Sequence, residues 1–210
     1  MRNKIGTLLM GLGTVLVLAA LSLFLWNEQE AREAERSAEH ILPRLVEQIE
    51  QESTGLAPED GENAADYPDP YDPAMTEVVI DGYAYIGYLS IPSLGLELPV
   101  MSEWDYTRLK IAPCRYSGST KTDDLVIAGH NYARHFSPIK GLKEGETVYF
   151  VDMDGVRSDY QVASVEVLAP TAVEEMTSGT YDLTLFTCTY GGRSRVAVRC
   201  QRTGEDETAP

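Results

Sequence analysis

Hydrophobic and polar positions fall into three successive patterns along the 210-residue chain. From Ile5 to Trp26 every residue is uncharged and most are Leu, Val, Ala or Gly. At a rise of about 1.5 Å per residue, such a run spans a hydrocarbon core of roughly 30 Å. Residues 27–52 change to Glu, Ala, Arg and Gln, all good helix formers. Ile41, Leu42, Leu45, Val46 and Ile49 recur at helical spacing on one face. Pro43 interrupts this stripe, and it predicts a break, a kink or the first residue of a second helix. The stripe could pair with another copy or lie on the membrane; the acidic opposite face argues against tight binding to anionic lipid, and a solvated stalk is the default expectation. Residues 53–76 are loop-like, rich in Gly, Pro, Asp, Glu and Asn.

From Tyr83 onward the pattern is that of strands. Runs rich in Val, Ile, Tyr, Thr and Leu predict strands at Ala84–Ile91, Leu96–Met101, Arg115–Ser117, Asp124–Ala128, Thr147–Val151, Asp159–Leu168, Tyr181–Cys188 and Arg195–Gln201. Turn residues separate them: Pro92-Ser93-Leu94-Gly95, Asp154-Gly155 and Gly191-Gly192. Glu103–Lys110, Phe136–Leu142 and Thr171–Met176 fit short helices or turns. Many short strands at regular spacing predict an all-β sandwich or barrel, and closure removes exposed edges. The chain thus divides into a cytoplasmic tip and transmembrane anchor (1–26), a helical stalk with an acidic Pro-rich linker (27–76) and a β domain (77–210).

Charge refines this division. The formal net charge is −16, and residues 27–80 carry 15 acidic against 3 basic side chains. No basic face exists to neutralise phosphates, which argues against nucleic-acid binding. Arg2 and Lys4 precede the apolar run and Glu28 and Glu30 follow it. The positive-inside rule then places the N-terminus in the cytoplasm and the β domain outside the cell. Trp26-Asn27-Glu28 is a poor cleavage site for a signal peptide, which favours a retained anchor.

The chemistry centres on a few side chains. Cys114, Cys188 and Cys200 are an odd set, so at least one thiol is unpaired within a monomer. Cys114 and Cys200 read as small buried hydrophobes. Cys188 differs: it ends an apolar run, lies between Thr187 and Thr189, and precedes a Gly-Gly turn. A thiol acts as a nucleophile only as thiolate, which a neighbouring imidazole or guanidinium favours. Arg195 opens the next strand, where a hairpin would pair it with Cys188; its fixed charge suits an oxyanion. Arg193 and Arg199 compete for that role, the first inside the turn, the second far along the strand. His130 closes the run Leu125-Val126-Ile127-Ala128-Gly129, and the glycine lets the backbone approach another group closely. His135 falls in a segment with the look of an exposed loop, and His40 lies in the stalk. No metal-ligand spacing stands out; Asp152, Asp154 and Asp159 read as a solvated turn rather than a calcium loop.

These residues resemble the sortases, cysteine transpeptidases of Gram-positive surfaces. Thr184-Leu185-Phe186-Thr187-Cys188, with an arginine a few residues on, resembles the family's TLxTC signature. Ala128-Gly129-His130-Asn131 resembles its histidine motif, and Ile139-Lys140-Gly141-Leu142-Lys143-Glu144-Gly145-Glu146-Thr147-Val148 resembles the segment that follows. Ile86-Gly87-Tyr88-Leu89-Ser90-Ile91-Pro92 is similar to its first core strand. The resemblance implies a closed eight-stranded β-barrel with short helices behind an N-terminal membrane helix. It implies that Cys188 attacks the Thr-Gly carbonyl of an LPxTG-like sorting signal, that His130 carries the proton, and that Arg195 holds substrate and oxyanion. Thr187 and Ala128 would line the substrate site, and no cofactor is needed. The acyl group would pass to an amine of a cell-wall precursor or a pilin lysine. A hydrolase of the same signals would carry identical residues, and a non-catalytic surface barrel would need none of them. Asp69-Pro70-Tyr71 resembles the lid of pilus-type members, with Asp69 and Tyr71 set to cover the cysteine; by composition the same stretch is a proline-rich linker.

Overall fold

The computed structural model describes residues 2–53 and 74–203. Nine strands form one sheet: β1 (Val78–Ile80), β2 (Tyr83–Ile91), β3 (Leu96–Met101), β4 (Cys114–Ser117), β5 (Leu125–Gly129), β6 (Thr147–Asp152), β7 (Arg157–Leu168), β8 (Leu183–Cys188) and β9 (Arg195–Arg202). Their order is β1-β2-β3-β4-β5-β8-β9-β7-β6, and β6 pairs back onto β2. That last pairing, from Gly87↔Asp152 to Ser90↔Tyr149, closes β2 to β9 into an eight-stranded barrel. All eight predicted strands are present, with ends shifted by a few residues at most. β1 was not legible; it adds a short hairpin arm to β2, turning at Asp81-Gly82, both with positive φ.

Alternation along the strands builds the interior. Leu125 and Ile127 of β5, Leu183 and Leu185 of β8, and Val198 and Cys200 of β9 point inward. They meet Ile86 and Leu89 of β2, Phe150 of β6 and Tyr160 of β7 in one buried cluster. Cys114 and Cys200 are fully buried free thiols, as small hydrophobes should be.

Helix α1 runs unbroken over Arg2–Ser53, with Pro43 inside it. Pro43 and Glu39, the residue whose carbonyl it leaves unpaired, are both exposed, so water can serve that carbonyl. The solvated stalk expected for its second half is not what forms. Ala34, Ala38, Ile41, Leu45 and Ile49 are all buried. Ile41, Leu45 and Ile49 pack on the outside of the barrel against Ile80, Tyr85, Met101 and Met153. Arg44 grips the Asp81 carboxylate at 2.9 Å, and Arg134 pairs with Glu35. The first half of α1 stays exposed and is the one described helix long and apolar enough to cross a membrane, with mean hydropathy 2.5 over its best window.

Candidate active site

The parallel pairing of β5 with β8 fixes the site. Gly129 stands opposite Thr187, so the next residues, His130 and Cys188, leave neighbouring strand ends side by side. The Thr187 hydroxyl donates to the Gly129 carbonyl at 2.8 Å and ties these two ends together. Thr187 is therefore buried on the inner face, occupied in a strand-to-strand bond. Gly129 is needed because Phe136 lies against it: a Cβ there would sit 2.2 Å from the ring.

On the other side of Cys188, β9 returns antiparallel and sets Cys188 opposite Arg195. The turn between them is tied by Thr189, whose amide donates to the Ser194 carbonyl at 2.9 Å. Gly191 and Gly192 supply its two left-handed residues, φ 76° and 69°. The Arg195 guanidinium folds back on this turn and donates to the Gly192 and Ser194 carbonyls, each at 3.2 Å. Arg193 is exposed within the turn. Arg199 is instead buried: it donates to the Glu175 and Met176 carbonyls and to Thr184, and pairs with Glu166 at 3.4 Å. It pins the short helix α2 (Val173–Thr177) to the barrel wall.

Cys188 and Phe186 share the outer face of β8, by the alternation that turns Leu185 and Thr187 inward. Ala128, Val126, Phe186, Met176 and Ala197 form an apolar floor on this face, flanked by Leu109, Tyr116 and Leu168. Trp104, Tyr116 and Phe186 continue it as a chain of ring contacts, 5.2 Å between successive centroids. A concavity of about 440 Å³ opens beside Trp104 and Tyr116, with Arg115 and Glu103 in its wall. Ala128 is itself buried in this floor, opposite Phe186 of β8. The aromatic residues were missed because they are scattered along the chain and meet only through the barrel.

His130 is half-buried, and its ring stacks on Tyr132 with centroids 3.9 Å apart and planes 20° from parallel. Burial lowers its pKa below the usual histidine range; the Glu30 carboxylate opposes this and the Lys110 ammonium adds to it. Glu30 accepts from Lys110 Nζ and from the Tyr132 hydroxyl, each at 3.1 Å. Residues of α1 therefore reach the site, which no local pattern foretells.

Two expectations need correction. His135 is not in an exposed loop: it is buried, with Nδ1 donating to the His130 carbonyl at 3.1 Å. Bonds from Phe136 N to His130 O and from Ser137 N to Tyr132 O fold this segment inward. Asp152 does not lie in a solvated turn either. It is buried and accepts from the Asp154 and Val156 amides, closing the β6–β7 hairpin. Asp69 and Tyr71 lie outside the described residues.

Residues 89–203 match the sequence profile of the Sortase domain. A curated relative, sortase A of Bacillus anthracis, is 31% identical over 125 residues, covering 55% of this chain and 59% of that protein. The chain thus spans about six-tenths of that relative's length. Sortase C1 of Streptococcus suis is 28% identical with a TM-score of 0.50, over 59% of this chain and 75% of that one. A lid mutant of Corynebacterium diphtheriae sortase A is similar in fold, with TM-score 0.53 and 22% identity over 81% of this chain and 97% of that one.

Proposed function

This chain belongs to the sortase family, and from that premise we propose that it is a membrane-anchored cysteine transpeptidase acting on LPxTG-like sorting signals. The observation that carries the reading is the pair of registers at Cys188. Gly129↔Thr187 sets His130 beside it, and Cys188↔Arg195 sets a fixed cation across from it.

In the reaction, the Cys188 thiolate attacks the carbonyl carbon before the scissile bond. The peptide lies extended over the floor of Ala128, Phe186 and Met176. Arg195 leaves its turn carbonyls to hold the oxyanion; those two bonds, at 3.2 Å, are weak enough to exchange. Protonated His130 gives its proton to the leaving amine, and the C–N bond breaks to leave a thioester on Cys188. An incoming amine, from a cell-wall precursor or a pilin lysine, loses a proton to His130 as it attacks. The new amide forms and the thiolate is regenerated. These steps call for no cofactor.

The apolar half of α1 supports anchoring, and Arg2 and Lys4 ahead of it favour a cytoplasmic N-terminus with the barrel outside. The test uses the full chain in lipid nanodiscs with an LPxTG-type peptide and an added amine. Amide product that disappears in Cys188→Ala is expected. Hydrolysed acid alone would point to a hydrolase, and undiminished turnover in Cys188→Ala would sink cysteine catalysis altogether.

A further inference from the structure

A proton-carrying histidine is usually oriented by a hydrogen bond from its second ring nitrogen to a carboxylate or carbonyl. In this chain His130 Nδ1 is buried and finds no hydrogen-bond partner among the described residues. Its ring is held instead by its face, stacked on Tyr132. Tyr132 is itself buried, and its hydroxyl donates to Glu30 of α1. Glu30 is fixed from the barrel side by Lys110, whose hydrogen bond is the largest of the effects holding its carboxyl below the usual range. The contacts run Lys110–Glu30–Tyr132–His130, joining the membrane-proximal helix to the active site.

We propose that Glu30 is a positioning residue for His130: from α1 it locks the Tyr132 ring that orients the imidazole and sets a carboxylate beside it. This rests on the reading of His130 as the proton carrier. Two physical effects combine. The hydrogen bond to Glu30 fixes the tilt of Tyr132, and a stacked ring follows the plane of its partner. The carboxylate also favours the imidazolium that the leaving amine needs. The other groups facing His130 differ in sign or distance from this role. Lys110 disfavours its protonation, the Glu33 charge acts on Tyr132, and buried His135 binds the His130 carbonyl. Cys188 and Arg195 complete the surroundings from the adjacent strand ends.

The test titrates ring-labelled histidines by NMR in the full chain in nanodiscs; with three histidines in the chain, His130→Ala identifies the signal. Glu30→Gln should move the His130 midpoint to lower pH, and Lys110→Gln should move it to higher pH. A loss of packing would not give opposite signs. Glu30→Gln and Tyr132→Phe, which keeps the stacked ring but cuts its tie, should each lower kcat by roughly two- to tenfold with KM unchanged. An unmoved midpoint in Glu30→Gln, or shifts of the same sign in the two charge variants, would overturn the proposal alone. Full turnover in His130→Ala would instead overturn the role of His130, and this proposal with it.

Discussion

At the scale of single residues, the three thiols separate by environment. Burial pushes Cys114 and Cys200 up to about 12, so both stay protonated and shielded at neutral pH. Cys188 is partly exposed at a strand end. A thiol-directed reagent should label it first, and peptide mass mapping that finds Cys114 modified earlier would contradict this. His135 makes a second prediction. Burial lowers its pKa to about 3, so it is neutral when folded and gains a proton when unfolded below about 6.5. The unfolded state therefore binds more protons between those values, and stability falls as pH drops through that window. The melting temperature should decline from pH 7 to pH 4.5, and His135→Asn should flatten that slope. An equal slope in the variant would show that other groups set it. Of the catalytic candidates, Cys188 and its arginine were legible because both flank one turn. The roles of His135 and Tyr132 were not, because a loop folding inward leaves no periodic pattern.

At the scale of elements, the strands were legible because alternation and turn residues are local signals. Their closure through β2 and β6 was implied only by the resemblance. The docking of α1 was not legible: its apolar stripe reads the same whether it faces a barrel, a second copy or water. Leu45 is fully buried in that contact, so Leu45→Ala should cost about 2–5 kcal/mol in denaturant unfolding. An unchanged midpoint would mean that the helix contributes nothing to the fold. Elsewhere on the barrel wall, Arg199 is the tie for α2. Arg199→Met leaves the Glu175 and Met176 carbonyls without its donors, at a cost of about 1–3 kcal/mol, and frees the helix that carries Met176 to the groove floor. Peptide KM should rise more than kcat falls; the reverse would place Arg199 nearer the chemistry.

At the scale of the whole molecule, the two tryptophans report on separate regions. Trp26 ends the apolar run and Trp104 lines the groove. In nanodiscs with brominated acyl chains, emission from the Trp104→Phe variant should be quenched, and that from Trp26→Phe should not. Unquenched Trp26 would sink the anchor. The net charge of −16 is densest over residues 27–80, and so acidic a stretch disfavours adhesion to an anionic surface.

The unbroken α1 has a consequence for how partners are met. Glu30 is only four residues beyond Trp26, about 6 Å along the helix axis. With the anchor and the nucleophile proposed above, Cys188 is held by a helix packed against the barrel and rides at one altitude over the bilayer. Encounter then becomes a search in two dimensions, in which turnover follows the surface density of substrates still held in the same leaflet. A protein adrift in the medium would pass the enzyme almost unseen.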